Sequence, residues 1–316
     1  MVTGEMKPKK KVVGGISTNI AKYPFTISLR SKEDHMCGGI LIKEDWILTA
    51  AHCLMMASEC YMKLRKAIFY QALAGTTFSD DKTKVGQIKQ CIYFYTHPEY
   101  DPETLMNDIG LVQIESPFRT GENVQVAKIS NYYEKYAGDD VPENTNEICT
   151  VVGWGSLGKN VKNHVTTLQK ANLDVLPIRI CKEKLSEYIV PDKDMCLLSA
   201  TVQGSCYGDS GGPVVCESSE VEAIVSGSTG DFDCAIPHLP YLFVRIMPYE
   251  NWIHNIIENK PKMSNDDIRY SNKTKCTSYD KGFQGKHDTI NEGNKGNHFC
   301  SNMNFVVVIL LFIIYS

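Results

Sequence analysis

The sequence carries no apolar stretch of the about 20 residues that a membrane-spanning helix needs; the apolar run at its C-terminus, residues 305–315, is clearly shorter. It has no marked excess of charge either. A balance of 33 Lys and Arg against 37 Asp and Glu leaves a net charge of −4, which gives no reason to invoke nucleic acid. Residues 1–11 lack an apolar core and cannot serve as a secretory signal. No short Cys/His spacing of the zinc type appears, so metal binding is the weaker reading of the cysteines. What the chain does have is 12 cysteines in 316 residues, which argues for an oxidising compartment and a disulfide framework. At 43% hydrophobic and 22% charged the balance is globular, and the length suits one large all-β domain or two ordinary ones.

Short apolar runs separated by Gly, Pro, Asn and Asp clusters predict strands. Such runs are Gly39-Ile40-Leu41-Ile42, Trp46-Ile47-Leu48-Thr49, Ile109-Gly110-Leu111-Val112-Gln113-Ile114, Cys149-Thr150-Val151-Val152-Gly153-Trp154-Gly155 and Ala223-Ile224-Val225-Ser226-Gly227. One helix is predicted near position 250. Tyr249, Trp252, Ile253, Ile256 and Ile257 share a face at helical spacing, and Pro248 stands at its start.

Gly204-Ser205-Cys206-Tyr207-Gly208-Asp209-Ser210-Gly211-Gly212-Pro213 carries the chemistry. Its glycines let the backbone approach a substrate carbonyl and adopt dihedrals that other residues resist. Successive N–H groups of such a turn can converge on one point, as an oxyanion hole requires. A serine alone is a poor nucleophile and needs a base and an orienting acid. Thr49-Ala50-Ala51-His52-Cys53 offers the imidazole, and Asn107-Asp108-Ile109-Gly110 offers a carboxylate at the head of an apolar run. Alone, the serine turn reads as a loop and the histidine as structural. Together, in the order His, Asp, Ser, they read as a nucleophilic triad.

On these three motifs the chain resembles the chymotrypsin/trypsin-like serine endopeptidases, from about residue 12 to about residue 258. The resemblance implies an all-β fold of two packed six-stranded antiparallel barrels with a C-terminal helix and the active site in the cleft between them. It implies His52 as base, Asp108 as its orienting acid, Ser210 as nucleophile and the N–H groups of Gly208 and Ser210 as the oxyanion hole. Ser226 matches the family serine beside the buried aspartate and is expected to bond Asp108. Four disulfides are implied, Cys37–Cys53, Cys149–Cys216, Cys181–Cys196 and Cys206–Cys234, each contributing roughly 2–4 kcal/mol. Cys60 and Cys91 are expected to pair with each other, and Cys276 and Cys300 lie in the tail. No metal or organic cofactor is required. The family's calcium loop carries acidic side chains, whereas the region after Gly75 begins Thr76-Thr77-Phe78, so calcium is not expected.

Lys7-Pro8-Lys9-Lys10-Lys11 stands directly before Val12-Val13-Gly14-Gly15. Cleavage after Lys11 would free an α-amino group at Val12, which the resemblance pairs with Asp209, so the chain as written is expected to be a zymogen. The substrate pocket departs from the family. Gly204 occupies the pocket base where trypsin-like members have aspartate, so a preference for lysine or arginine is not expected. Gly227 stands in place of tryptophan, Ser228 in place of glycine, and Tyr241 where glycine is common. A tyrosine ring there would fill much of the pocket while the missing tryptophan opens one wall. The expected preference is uncharged, with small or medium apolar residues ahead of large aromatics.

The domain reading is an activation segment over 1–11, a protease domain over 12–258, a polar, disordered tail over 259–304 and a hydrophobic C-terminus over 305–316. Asn272-Lys273-Thr274 is an acceptor pattern for glycosylation. The polar spacer followed by the hydrophobic end fits a lipid-anchor signal, with a peripheral membrane contact or a misassigned gene end as rivals. A signal peptide is expected upstream of residue 1, and the location secreted or extracellular, anchored at the cell surface if the signal is used. Expected partners are protein or peptide substrates, an activating protease and protein inhibitors, with membrane attachment through the C-terminus, no nucleic acid, and a monomeric chain. The rival class is a non-catalytic homologue used as a binding module. Loss of a triad member would mark it, and none is lost.

Overall fold

The computed structural model describes residues 15–57, 61–130, 147–156, 165–186, 189–216, 219–228, 234, 236–261 and 268–270. The N-terminal half contributes β1 (Ile16–Ser17), β2 (Thr26–Ser31), β3 (Asp34–Lys43), β4 (Trp46–Thr49), β5 (Met55–Ala57), β6 (Tyr61–Leu64), β7 (Tyr70–Ala74), β8 (Gln87–Thr96) and β9 (Gly110–Ile114), with a single-turn helix α1 (Ala51–Leu54) after β4. The C-terminal half contributes β10 (Ile148–Gly153), β11 (Gln169–Leu176), β12 (Asp194–Leu198), β13 (Pro213–Val215), β14 (Val221–Ser228) and β15 (Tyr241–Arg245). Helices α2 (Ile178–Lys184) and α3 (Glu250–Asn259) and a last strand, β16 (Ile268–Tyr270), complete it.

Six strands close the first barrel in the order β2-β3-β4-β9-β8-β7. The second closes as β10-β11-β12-β15-β14-β13, because β11 pairs with β12 as well as with β10. All the strand pairs are antiparallel, and the expected two-barrel fold with a C-terminal helix is the one present.

The strand alternation explains how the barrels meet. Side chains of a strand point to opposite faces at period two. Along β9, Val112 and Ile114 enter the first barrel's core, while Leu111 and the preceding Ile109 face a second cluster. On β4, Ile47 points inward and Trp46 and Leu48 outward to that same cluster. There they meet Val215, Ile224 and Val244 of the second barrel, and Ile253 and Ile256 of α3. The predicted helix therefore packs over the seam, its helical phase starting at Glu250 after a tight turn at Met247–Tyr249. It ends where Lys260 takes a left-handed φ of 41° and returns its N–H to the carbonyl of Ile256. Strands buried on both faces contribute twice to the hydrophobic term, so the seam is apolar core rather than a wet contact.

Two expectations change. Cys91 on β8 is a free thiol with no exposed surface, so the bridge expected to Cys60 is not made; Cys60 lies outside the described residues. Burial pushes the Cys91 thiol up to about 12, which keeps it protonated and inert. A bulge in β8 between Cys91 and Tyr93 breaks the alternation, so that Cys91 and Phe94 both enter the barrel core. The second change is in the tail, where residues 268–270 form β16, antiparallel to β6, with Ile268 opposite Lys63 and Tyr270 opposite Tyr61. Lys11, Val12, Asn272, Cys276, Cys300 and residues 305–316, for which roles are expected above, lie outside the described residues.

Candidate active site

His52 sits on α1, held from two sides. The bridge Cys37–Cys53 ties the helix to β3, and the backbone N–H of His52 donates to Asp108 Oδ1 at 2.9 Å. Its ring Nδ1 bonds Asp108 Oδ2 at 2.7 Å. Ser226 on β14 donates its hydroxyl to the same Oδ2 at 2.6 Å. The carboxylate of Asp108, wholly buried, thus accepts three hydrogen bonds from two barrels. Burial works against its charge, yet the His52 charge and bond and the Ser226 bond outweigh it and hold the carboxyl below its ordinary value. For His52 burial works against the imidazolium, but the charge and bond of Asp108 prevail over that and over Arg65, so its pKa is raised.

The turn that aims Asp108 is itself fixed. Asn107 has a left-handed φ of 55°, a conformation that asparagine tolerates. Its amide donates to the Glu99 carbonyl at 2.9 Å and its side-chain oxygen accepts from the Tyr249 hydroxyl at 3.0 Å. Leu105, at φ 57°, precedes it on the same loop.

Ser210 reaches the site through glycine. A Cβ on Gly211, at φ 77°, would lie 2.1 Å from Thr49 Oγ1 and 3.0 Å from the amide nitrogen of Ala50, two residues before His52. No larger residue could let the serine turn press so closely on the histidine turn. The next residue continues the contact: a Cβ on Gly38 would fall 2.6 Å from the Cα of Gly212, backbone against backbone. The Gly38 N–H donates to the Ser210 carbonyl at 2.8 Å, and that of Gly211 to the Val225 carbonyl at 2.6 Å. Gly208 takes φ 94°, and its carbonyl is bonded by His35 Nε2 at 2.8 Å, while His35 Nδ1 is bonded by Ser28 at 2.8 Å. Holding that carbonyl fixes the peptide planes beside Ser210.

Asp209, next to the serine, is buried. Its carboxylate accepts from the N–H of Gly155 at 2.7 Å and of Cys206 at 2.9 Å, and is packed so tightly that a Cβ on Gly153 would be 2.2 Å away. Among the described residues no cation pairs with it. Burial, opposed by those two amide bonds, raises its pKa to about 6.

The remaining bridges are Cys149–Cys216, Cys181–Cys196 and Cys206–Cys234, the last joining the serine loop to the neighbouring segment. Gly204, two residues before Cys206, is buried. At Gly227 a Cβ would meet Leu105 Cδ1 at 2.6 Å, so a leucine from the first half leans into space that a side chain at 227 would need. Tyr241, 1% exposed, belongs to the second barrel's core with Leu197, Val225 and Phe243, and its hydroxyl accepts from the Ile236 N–H at 2.7 Å. Ser228 lies opposite Tyr241 in the β14–β15 pairing. The His52 ring is 3.7 Å from the Cys53 sulfur, but that sulfur is oxidised in its bridge and offers no thiolate to a metal.

Two closed six-stranded barrels packed across an apolar seam, with a C-terminal helix over it, are the fold of the chymotrypsin-like serine proteases. The chain belongs to the trypsin family: the family model "Trypsin" matches residues 12–253. A trypsin of Phaedon cochleariae is 30% identical over 256 residues, spanning 80% of this chain and 91% of that protein. The snake venom serine protease pallabin-2 of Gloydius halys is 25% identical, over 79% and 89% of the two chains. Among solved structures, mouse neuropsin, a serine protease expressed in the limbic system of the brain, superposes with a TM-score of 0.63 at 25% identity, covering 77% of this chain and 98% of its own.

His35, Asn107 and Leu105 were not singled out from the sequence. His35 lies two residues before Cys37 on a strand, where nothing local marks it. Leu105 precedes the aspartate motif and Asn107 opens it, but both owe their importance to left-handed backbone, which only Asn advertises.

Proposed function

We propose that this chain is the precursor of a secreted endopeptidase in which His52, Asp108 and Ser210 form the catalytic triad. The three hydrogen bonds converging on the buried Asp108 are the observation that carries the reading, since they fix the tautomer that leaves His52 Nε2 free to take a proton. Ser210 Oγ attacks the peptide carbonyl as its proton passes to His52. Asp108 steadies the imidazolium that forms. The N–H groups of Gly208 and Ser210 receive the oxyanion, each donor contributing roughly 3 kcal/mol. His52 then returns the proton to the leaving amine, and water, activated by the same ring, hydrolyses the acyl-enzyme. The test is a fluorophosphonate probe applied before and after cleavage at Lys11. Labelling is expected only after cleavage and only with Ser210 present; labelling of Ser210→Ala, or none in a folded and cut chain, would refute the triad.

Cleavage after Lys11 is proposed as the switch, with the new ammonium of Val12 as the partner of Asp209. The activation segment over 1–11 and the domain over 12–258 follow from it. The four bridges and the venom relative support an extracellular setting; attachment to the cell surface through residues 305–316 and glycan at Asn272 are the further proposals for the tail. Substrates are proteins or peptides, and the primary pocket selects uncharged, small or medium side chains. Gly204 would place no charge at its base, and the Tyr241 ring, packed into the second barrel's core opposite Ser228, is proposed to close its depth. Tyr241→Gly is therefore expected to raise kcat/KM for phenylalanine over alanine before the scissile bond by about 10- to 100-fold. A peptide panel differing at that position reads the shift, and a melting curve shows whether the core tolerated the loss.

A further inference from the structure

The hairpin β5–β6 begins one residue after the helix that carries His52, and Met55 pairs with Leu64 at its base. Just past β6, Arg65 closes the hairpin against the helix. Its N–H donates to the Leu54 carbonyl at 2.8 Å, its Nε to the Met55 carbonyl at 2.8 Å and its Nη1 to the Tyr70 hydroxyl at 2.9 Å. A two-stranded hairpin in water is marginal by itself, and a third strand is what makes such a sheet persist. Here the third strand is β16, which arrives from beyond α3 and covers the open edge of β6 over three residue pairs. It runs in the direction from Lys63 toward Tyr61, that is, from the helix toward the hairpin's turn.

We propose that residues 268–270 are a strap in cis, which holds the β5–β6 hairpin and, through Arg65, positions the helix bearing His52. The assignment rests on the reading of His52 as the catalytic base. The role needs only backbone, because an added edge strand binds through N–H and C=O groups whatever its side chains. It also gives the segment after α3 a task unrelated to the barrels. Two charged groups act on His52: Asp108, from the loop before β9, which favours the imidazolium, and Arg65, from the end of β6, which opposes it. If the strap is released and the hairpin frays, the Arg65 charge is no longer held near the ring, and the His52 titration midpoint moves upward.

The experiment uses the full chain with Arg269→Pro and Tyr270→Pro made separately. Successive N–H groups of a strand face opposite edges, so one of the two prolines must remove a bond to β6. Arg269→Ala, which keeps the N–H, is the control. Amide exchange is read at Tyr61–Leu64, and the ring titration of His52 by NMR, assigned with His52→Ala. The expected result is about tenfold faster exchange in at least one proline variant, with the His52 midpoint raised in that variant and both unchanged in the alanine control. Unchanged exchange in both proline variants would overturn the strap. Faster exchange with an unmoved His52 would overturn its positioning role. Neither reading needs turnover, so failure of the proposed triad, seen with the fluorophosphonate probe, stays separate.

Discussion

Asp108→Asn is expected to lower kcat by about 10⁴-fold while leaving the barrels folded. The carboxylate accepts the His52 N–H, the His52 ring and the Ser226 hydroxyl at once, and each contact needs an acceptor. An amide has one oxygen and one NH₂. If the oxygen serves the backbone N–H of His52, the NH₂ faces Nδ1 and turns it into an acceptor. The ring proton then sits on Nε2, where it blocks removal of the serine proton. Little volume changes, so packing at Ile109 and Leu111 is kept. Acylation by an active ester, followed in single turnover, measures the chemical step directly. A loss of less than tenfold would mean that Asp108 does not set the tautomer.

The uncut chain, and Asp209→Asn in the cut chain, are each expected to fall by about 10³-fold or more in kcat/KM at pH 8, because both oxyanion donors depend on the loop that Asp209 anchors. The pH behaviour follows from the sign of the Asp209 shift. Its folded pKa, about 6, exceeds the ordinary value of 3.8, so the uncut fold holds this proton more tightly than the unfolded chain does. The stability due to that proton is complete below about pH 4 and is lost as pH rises toward 6, a total of about 3 kcal/mol at 1.4 kcal/mol per unit. An ammonium inserted beside the carboxylate reverses this by favouring the charged form. The cut chain is therefore expected to melt well above the uncut one at pH 7.5 and close to it at pH 4. Equal melting at pH 7.5 would exclude insertion of the new terminus at Asp209.

Much of this site could be read before the fold was seen, for identifiable reasons. The serine turn is legible because its glycines are demanded by contacts that any Cβ would break, as Gly211 against Thr49 makes plain. The strands are legible because apolar residues alternate or run continuously where both faces are buried, as in β4 and β9. His35 escaped notice because a single histidine on a strand has no signature, and its bond to Gly208 spans 173 positions. For Cys91 the cysteine count suggests a bridge, whereas the structure buries it as a free thiol in the first barrel's core beside a bulge that the sequence does not announce. Residues 268–270 sit in a Lys-, Asn- and Asp-rich stretch that composition marks as solvated, and a three-residue edge strand has no periodicity to detect.

The contact of Gly38 with Gly212 also bears on how the cleft can adapt to different substrates. Where two halves of a protein meet through side chains, rotamer changes let them slip by an ångström or more. Here main chain rests directly on main chain, so at this one point there is no side-chain rotamer to absorb a shift between the two barrels. Bulkier or differently shaped substrates are then expected to be accommodated more readily by the Leu105 side chain, which leans over Gly227, than by a shift at this glycine contact.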